Sequence, residues 1–409
     1  MRLYPRYIEP VLKAALADTP VVCLLGPRQV GKTTLVQQLK PKMDYVSFDD
    51  QSLIMAAKND PVGFVHGLPA PVILDEVQRV PELMPAIKSA VDNQRTPGRF
   101  LLTGSANLLL LPKVQESLAG HMEVVQLNPL SEMEKQRAKS SLLEALLAGD
   151  IKTSISAKHG IVQGIPEAIC SGGYPEPNTR MTARARQWHK QYLNAIIQRD
   201  VKDIAAIRDE NELSRLMELL AYRTASLLNI TSLANDLSVD RATAEKYLTI
   251  LDRLFLIRRL PAWHRNNAKR LIKTPKIHVI DSGLAAMLNR LTVEDWKTQS
   301  AEFGALLESF VVQQLICQAG WVDSDLVFSH YRDKDKAEVD LVIEQGRKVW
   351  AVEVKRAASL QDNDGAGLAR MAAQTGKSFQ GGILLYSGAN CLSLKVDKCF
   401  AVPMSWLWS

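Results

Sequence analysis

The sequence predicts an α/β chain of several domains: a parallel-sheet nucleotide-binding domain, a helical module around a helix-turn-helix, and a second α/β domain at the C-terminal end. Three observations carry this. The apolar run Val21 to Leu25 flows directly into Gly26-Pro27-Arg28-Gln29-Val30-Gly31-Lys32-Thr33 and then into a helical pattern. Residues 229–243 read as a short helix, a Ser/Asp turn and a second capped helix. Finally, Glu338-Val339-Asp340 begins an alternating segment that meets, across a Gly346 turn, another ending in Glu353-Val354-Lys355.

The 409 residues allow two to four domains of about 100–200 residues each. Hydrophobic residues at 46% and charged residues at 23% are ordinary globular values and exclude disordered and fibrous classes. Five scattered cysteines give neither a disulfide framework nor a zinc pattern. The opening MRLYPRYIEP lacks the apolar core of a signal peptide, and no apolar run approaches the roughly 20 residues that span a bilayer. A cytoplasmic protein without membrane partners is expected.

In the first domain the glycines let backbone N–H groups turn inward around phosphate oxygens, and the helix N-terminus adds partial positive charge. Residues Gly26 to Thr34 form the phosphate cradle. Lys32 neutralises the β- and γ-phosphates, and the Thr33 hydroxyl goes to Mg²⁺. A second apolar strand, Val72-Ile73-Leu74, ends in Asp75-Glu76. Asp75 is expected to hold the Mg²⁺ through water and Glu76 to orient the attacking water. A third strand, from Phe100, leads into Thr103-Gly104-Ser105. Ser105 is the choice for a γ-phosphate contact, with Asn107 and Thr103 close behind. Tyr45 to Phe48 reads as a further strand, with Asp49 and Asp50 capping the next helix.

The segments GPRQVGKTTL, VILDEVQRVPEL, LLTGSANLLLL, SLAGHMEVVQLNPLSEME and GGYPEP resemble the AAA+-type P-loop ATPases with a DUF4143 C-terminal region, a prokaryotic group also written AAA_14/DUF4143. The resemblance spans nearly the whole chain. It implies ATP with Mg²⁺ as cofactors, nucleotide bound at a subunit interface, and a ring-shaped homo-oligomer. His121 stands where the family usually carries an arginine, the residue expected to reach a neighbour's nucleotide.

Gly172-Gly173-Tyr174-Pro175 breaks the chain after the first domain, and Ala183 to Ile207 follows with helical periodicity and Trp188, Tyr192, Ile196 and Ile197 as its buried face. The helix-turn-helix, with strands near 256–260 and 277–280, fits a winged helix. Its second helix would present Arg241, Thr243 and Lys246 to a DNA major groove. Residues 257–280 hold seven Lys/Arg and no acid, more than the whole chain's net charge of +6. That basic wing, with Arg265, Lys269 and Arg270, is expected to meet DNA phosphates.

At the C-terminal end, Gly304 to Leu315 reads as an amphipathic helix carrying Glu308, and alternation puts Glu353 and Lys355 on one strand face with Asp340 across the hairpin. The set resembles the PD-(D/E)xK nuclease-like superfamily. That resemblance implies Mg²⁺ held by Glu308, Asp340 and Glu353, with Lys355 activating water. The expected domains are residues 1–140 (P-loop ATPase), 141–207 (helical lid and connector), 208–290 (winged helix) and 291–409 (nuclease-like α/β domain). The function expected is ATP hydrolysis coupled to action on duplex or branched DNA, with Mg²⁺-dependent cleavage or with recognition alone.

Overall fold

Five strands build the first unit of the computed structural model: β1 (Val21–Leu25), β2 (Asp44–Ser47), β3 (Val72–Asp75), β4 (Phe100–Gly104) and β5 (Met122–Gln126). They lie in the order β2-β3-β4-β1-β5, and every pair is parallel. The structure describes residues 3–39, 42–105, 120–155, 164–200, 210–266, 273–335 and 337–408. The central strands VVCLL, VILD and FLLTG are buried along their whole length, as continuous apolar runs in a covered parallel sheet require. The edge strands β2 and β5 are more polar and more exposed. Among the described residues, helices α1 (Glu9–Asp18), α2 (Lys32–Gln37), α3 (Gln51–Asn59), α4 (Pro61–His66) and α5 (Leu83–Asn93) belong to this unit, which comprises Pro5–Pro129 with Arg253–Phe255. Asp50 caps α3 by accepting from Ser52 N, the role its sequence position suggests. Because all five strands run the same way, the residues following β1, β3 and β4 gather along one sheet edge.

The second unit comprises Met1–Tyr4, Leu130–Asp252 and Leu256–Ser409. Its first helices are α6 (Glu132–Gln136), α7 (Leu142–Ala148), α8 (Ile165–Ser171) and α9 (Thr182–Ala195). Trp188, Tyr192, Ile196 and Ile197 form a buried face, and Tyr174 of the glycine-rich break stacks into it, its hydroxyl 2.8 Å from that of Tyr192. Gly173 N donates to Asp281 Oδ2 at 2.7 Å, while Asp281 Oδ1 caps α13 (Ser282–Leu288) through Leu284 N.

Between them lie α10 (Glu210–Tyr222), α11 (Ile230–Leu237), α12 (Arg241–Arg253) and a three-stranded antiparallel sheet. Its order is β6-β8-β7, from Ser226–Leu227, Lys276–Val279 and Ile257–Leu260 respectively. Asn229 caps α11, Ser238 turns through left-handed backbone, and Asp240 accepts from Thr243 N at the start of α12.

The C-terminal sheet has six strands in the order β13-β14-β12-β11-β10-β9. These are β9 (Val327–Arg332), β10 (Glu338–Gln345), β11 (Lys348–Lys355), β12 (Phe379–Tyr386), β13 (Leu392–Ser393) and β14 (Cys399–Pro403), with α15 (Ala366–Thr375) following β11. The β10–β11 hairpin pairs Leu341 with Val352. The expected amphipathic helix is α14 (Ser300–Val322), and its character differs from the expectation. It touches β10 and β11 as well as α7, α8 and α13, so burial surrounds most of it. Its buried Gln314 and Gln318 accept hydrogen bonds from the N-terminal residues of α6 and α7, at Glu132 N (2.7 Å) and Leu143 N (3.1 Å), which satisfies otherwise orphaned donors. Among the described residues no helix is long and apolar enough to cross a membrane.

Candidate functional site

The loop after β1 is built around two glycines. A Cβ on Gly26 would lie 2.1 Å from Leu127 O, so only glycine lets the loop pass the end of β5. Gly31, at φ +102°, turns the chain into α2 through left-handed backbone, and Gln29 shares that region at φ +57°. Lys32 opens α2 and is almost fully buried; its Nζ donates to Gly26 O and Pro27 O, both at 2.9 Å. Arg6 reinforces the loop by donating to Val30 O at 2.7 Å and Asn128 O at 2.6 Å.

Asp75 is the polar hub beneath this loop. Its Oδ2 accepts from Thr33 Oγ1 at 3.0 Å and Tyr45 OH at 2.5 Å, and its Oδ1 accepts from Thr103 Oγ1. Burial and then the Asp75 carboxylate push the Tyr45 phenol well up. Glu76 follows in left-handed backbone, its N donating to Thr103 Oγ1 at 3.1 Å. The Glu76 carboxylate is held from the side by Ser105 Oγ at 3.2 Å and by the Gln78 amide, which also donates to Ser105 at 2.9 Å. The structure therefore brings together Lys32, Thr33, Asp75, Glu76, Thr103 and Ser105, and adds Tyr45, Gln78 and Arg6. Asn107 lies outside the described residues.

His121 sits at the other end of the sheet. Its backbone O accepts from Val21 N, at the start of β1, and its Nε2 lies 3.2 Å from Asp92 Oδ1. A five-residue strand separates it from the P-loop edge, about 16 Å.

In the C-terminal sheet, Asp340 lies beside the end of β11, and a lysine lies between it and Glu308. Lys276, on β8 and almost fully buried, places Nζ 2.7 Å from Glu308 Oε1 and 3.5 Å from Asp340 Oδ1. Asp340 Oδ2 accepts from Val354 N at 2.9 Å, and Glu353 Oε1 from Leu368 N at 2.8 Å. Lys355 leans away towards Asp364, 3.9 Å off. Burial and the neighbouring Asp340 push Glu308 well up and Glu353 to about 7. Burial opposes the Lys276 charge, but Glu308 and Asp340 outweigh it and hold the ammonium protonated. Among the described residues, no three His, Cys, Asp or Glu side chains come close enough to hold a metal ion. The Lys276 ammonium lies between Glu308 and Asp340, two members of the expected Mg²⁺ set.

The basic segment divides similarly. Arg259 pairs with Glu245 at 2.5 Å, burial lowers Arg258, and Lys276 is committed as above. Arg265 and Lys273 are exposed, as are Arg241 and Lys246 on α12, while Lys269 and Arg270 lie outside the described residues. Arg265 and Lys273 line a cleft of about 260 Å³ together with Arg332, Lys334 and Arg370, against Asp333 and Asp335.

A phosphate-cradling loop between a buried strand and a helix, with an acid at the tip of the neighbouring strand but one in a 2-3-4-1-5 parallel sheet, defines a P-loop ATPase domain of the AAA type. Residues 18–135 match the family model described as an AAA domain (AAA_14), residues 162–295 a domain of unknown function (DUF8612), and residues 303–407 a domain of unknown function (DUF4143). The chain belongs to the AAA_14/DUF4143 family, together with uncharacterised proteins of Mycobacterium tuberculosis and Mycobacterium bovis. To each of these it is 30% identical over 353 residues, 85% of this chain and 73% of theirs. An uncharacterised protein of Methanocaldococcus jannaschii is 24% identical over 351 residues, 81% of this chain and 74% of its own. Among solved structures, a Walker-type ATPase of Pyrococcus abyssi is similar at 17% identity and TM-score 0.42, covering 70% of this chain and 96% of that one. The Holliday junction branch migration motor RuvB of Thermotoga maritima is similar at 20% identity and TM-score 0.30, covering 62% and 87%.

Proposed function

We propose that this chain hydrolyses ATP at the P-loop edge and uses the nucleotide cycle to act on DNA, duplex or branched, in the cytoplasm. The observation that carries the first half is the Lys32–Thr33–Asp75 arrangement. A buried ammonium rests on exchangeable backbone carbonyls beside a hydroxyl and a carboxylate that face each other at 3.0 Å. The backbone N–H groups of residues 28–34 hold the phosphates, and Lys32 leaves its carbonyl partners for the β- and γ-phosphate oxygens. The hard oxygens of Thr33 and Asp75 suit Mg²⁺, which when bound neutralises charge on the phosphoryl group being transferred. Glu76, aimed by Ser105 and Gln78, orients the attacking water. A ring-shaped homo-oligomer, in which a neighbouring copy completes the nucleotide site, belongs to this proposal through the AAA resemblance, with His121 in the family's arginine position pointing to slow hydrolysis or a finger from another arginine.

The DNA half is supported by the exposed Arg241 and Lys246 on α12, in a helix-turn-helix read as part of a winged helix, and by Arg265 and Lys273 in the cationic cleft. Lys269 and Arg270 belong to the same proposed contact. For the nuclease-like C-terminal domain, the Lys276 ion pair favours a second form of the reading, in which the nucleotide state gates recognition of DNA without cutting it. The test measures DNA affinity against salt for the wild type and the Arg265→Glu/Lys273→Glu variant, on duplex and four-way-junction DNA. Weaker binding with a slope reduced by about 2, one per phosphate contact, is expected. An unchanged slope would remove these residues from the DNA interface.

A further inference from the structure

We infer that Lys276 takes the place of a metal ion in the Glu308/Asp340/Glu353 set and closes that set to divalent cations, so that the C-terminal sheet is built to recognise rather than to cleave. The argument is one of geometry and committed lone pairs. Lys276 comes from β8, 32 residues before Glu308 and 64 before Asp340, and its Nζ sits 2.7 and 3.5 Å from their oxygens. A Mg²⁺ ion would need those same oxygens at about 2.0–2.1 Å in an octahedral shell, and ammonium and ion cannot both occupy the space between the two carboxylates. Two further oxygens of the set take backbone donors. Asp340 Oδ2 accepts from Val354 N, and Glu353 Oε1 from Leu368 N. Lys355, the residue expected to activate water, is exposed and leans to Asp364. An ammonium balances carboxylate charge, yet it has no open coordination position, so it neither binds a scissile phosphate as a Lewis acid nor lowers the pKa of a water. Lys276 also ties β8 to α14 and β10.

The inference deepens the non-cleaving form of the proposed function, and its experiment contains neither DNA nor nucleotide, so its failure is separable from failure of that reading. The probe is Mn²⁺, counted per nucleotide-free full-length chain by its paramagnetic resonance signal and by calorimetry. Wild type and Asp340→Asn are expected to bind the same number of ions. Lys276→Ala is expected to bind one ion more, and the added change Glu308→Gln to remove it. If Asp340→Asn loses an ion that the wild type holds, the carboxylates bind metal despite Lys276 and the inference falls. It falls equally if folded Lys276→Ala gains none. The comparison of wild type with Asp340→Asn leaves Lys276 in place, so it decides the matter even if Lys276→Ala does not fold.

Discussion

Two buried lysines, Lys32 at 4% exposure at the start of α2 and Lys276 at 3% on β8, differ in the groups their ammonium ends meet. Lys32 donates to two backbone carbonyls, Gly26 O and Pro27 O, in a loop shaped for phosphate. Lys276 rests on two carboxylates, so its charge is spent inside the fold. A carbonyl acceptor can be exchanged for a phosphate oxygen when a nucleotide binds. An ammonium held by counter-charges is structural, because removing it strands charge in a poorly solvated place. The same ingredients therefore make an open site in one unit and a closed one in the other.

The strongest way to break this contrast is Lys276→Ala, which is expected to cost about 3–5 kcal/mol of stability because Glu308 and Asp340 lose their counter-ion. The neutral triple variant Lys276→Met/Glu308→Gln/Asp340→Asn is expected to recover most of that loss in urea unfolding. A triple variant as unstable as the single one would show that packing, not charge, is at stake. Gly26→Ala, with its Cβ driven against Leu127 O, is expected to abolish measurable nucleotide binding while the second unit's melting stays unchanged.

A smaller effect reads the Lys276 charge from a distance. Burial, and then the nearby lysines including Lys276, lower His330 to about 4, although its Nε2 bonds Thr274 O. The folded chain refuses a proton that the unfolded chain accepts below about 6.5, so stability is flat above that pH and falls as pH drops towards 4. His330→Gln is expected to remove about 2–3 kcal/mol of the loss between pH 6.5 and 4.5. Imidazole titration by NMR should also show His330 taking up its proton at a higher pH in Lys276→Ala. No movement there would place the ammonium elsewhere.

How legible these sites were in the sequence follows from chain distance. The P-loop is contiguous, and its strand, loop and helix are dictated locally by an apolar run, two glycines and Lys32-Thr33, so both fold and residues could be read. Asp75 and Glu76 could be read because they end a buried strand. Tyr45, Gln78 and Arg6 could not, since each reaches the site only through strand order or a loop's return path. Lys276 was the hardest to read. In sequence it is one of seven basic residues without an acid among them, the pattern of a solvated face, and only the pairing of β8 against α14 and β10 gives it partners 32 and 64 residues away. The long helix α14 misled for a related reason: periodicity describes one buried face, whereas tertiary contacts bury most of its circumference.

The measurement that tests the account most directly is phosphate release from saturating Mg²⁺-ATP by the wild type, Lys32→Ala and Asp75→Asn. Measurable wild-type turnover that falls about 10²–10³-fold in each variant is the predicted result. Turnover equal in all three would contradict it, because hydrolysis would then belong to a site other than the one Lys32 and Asp75 define.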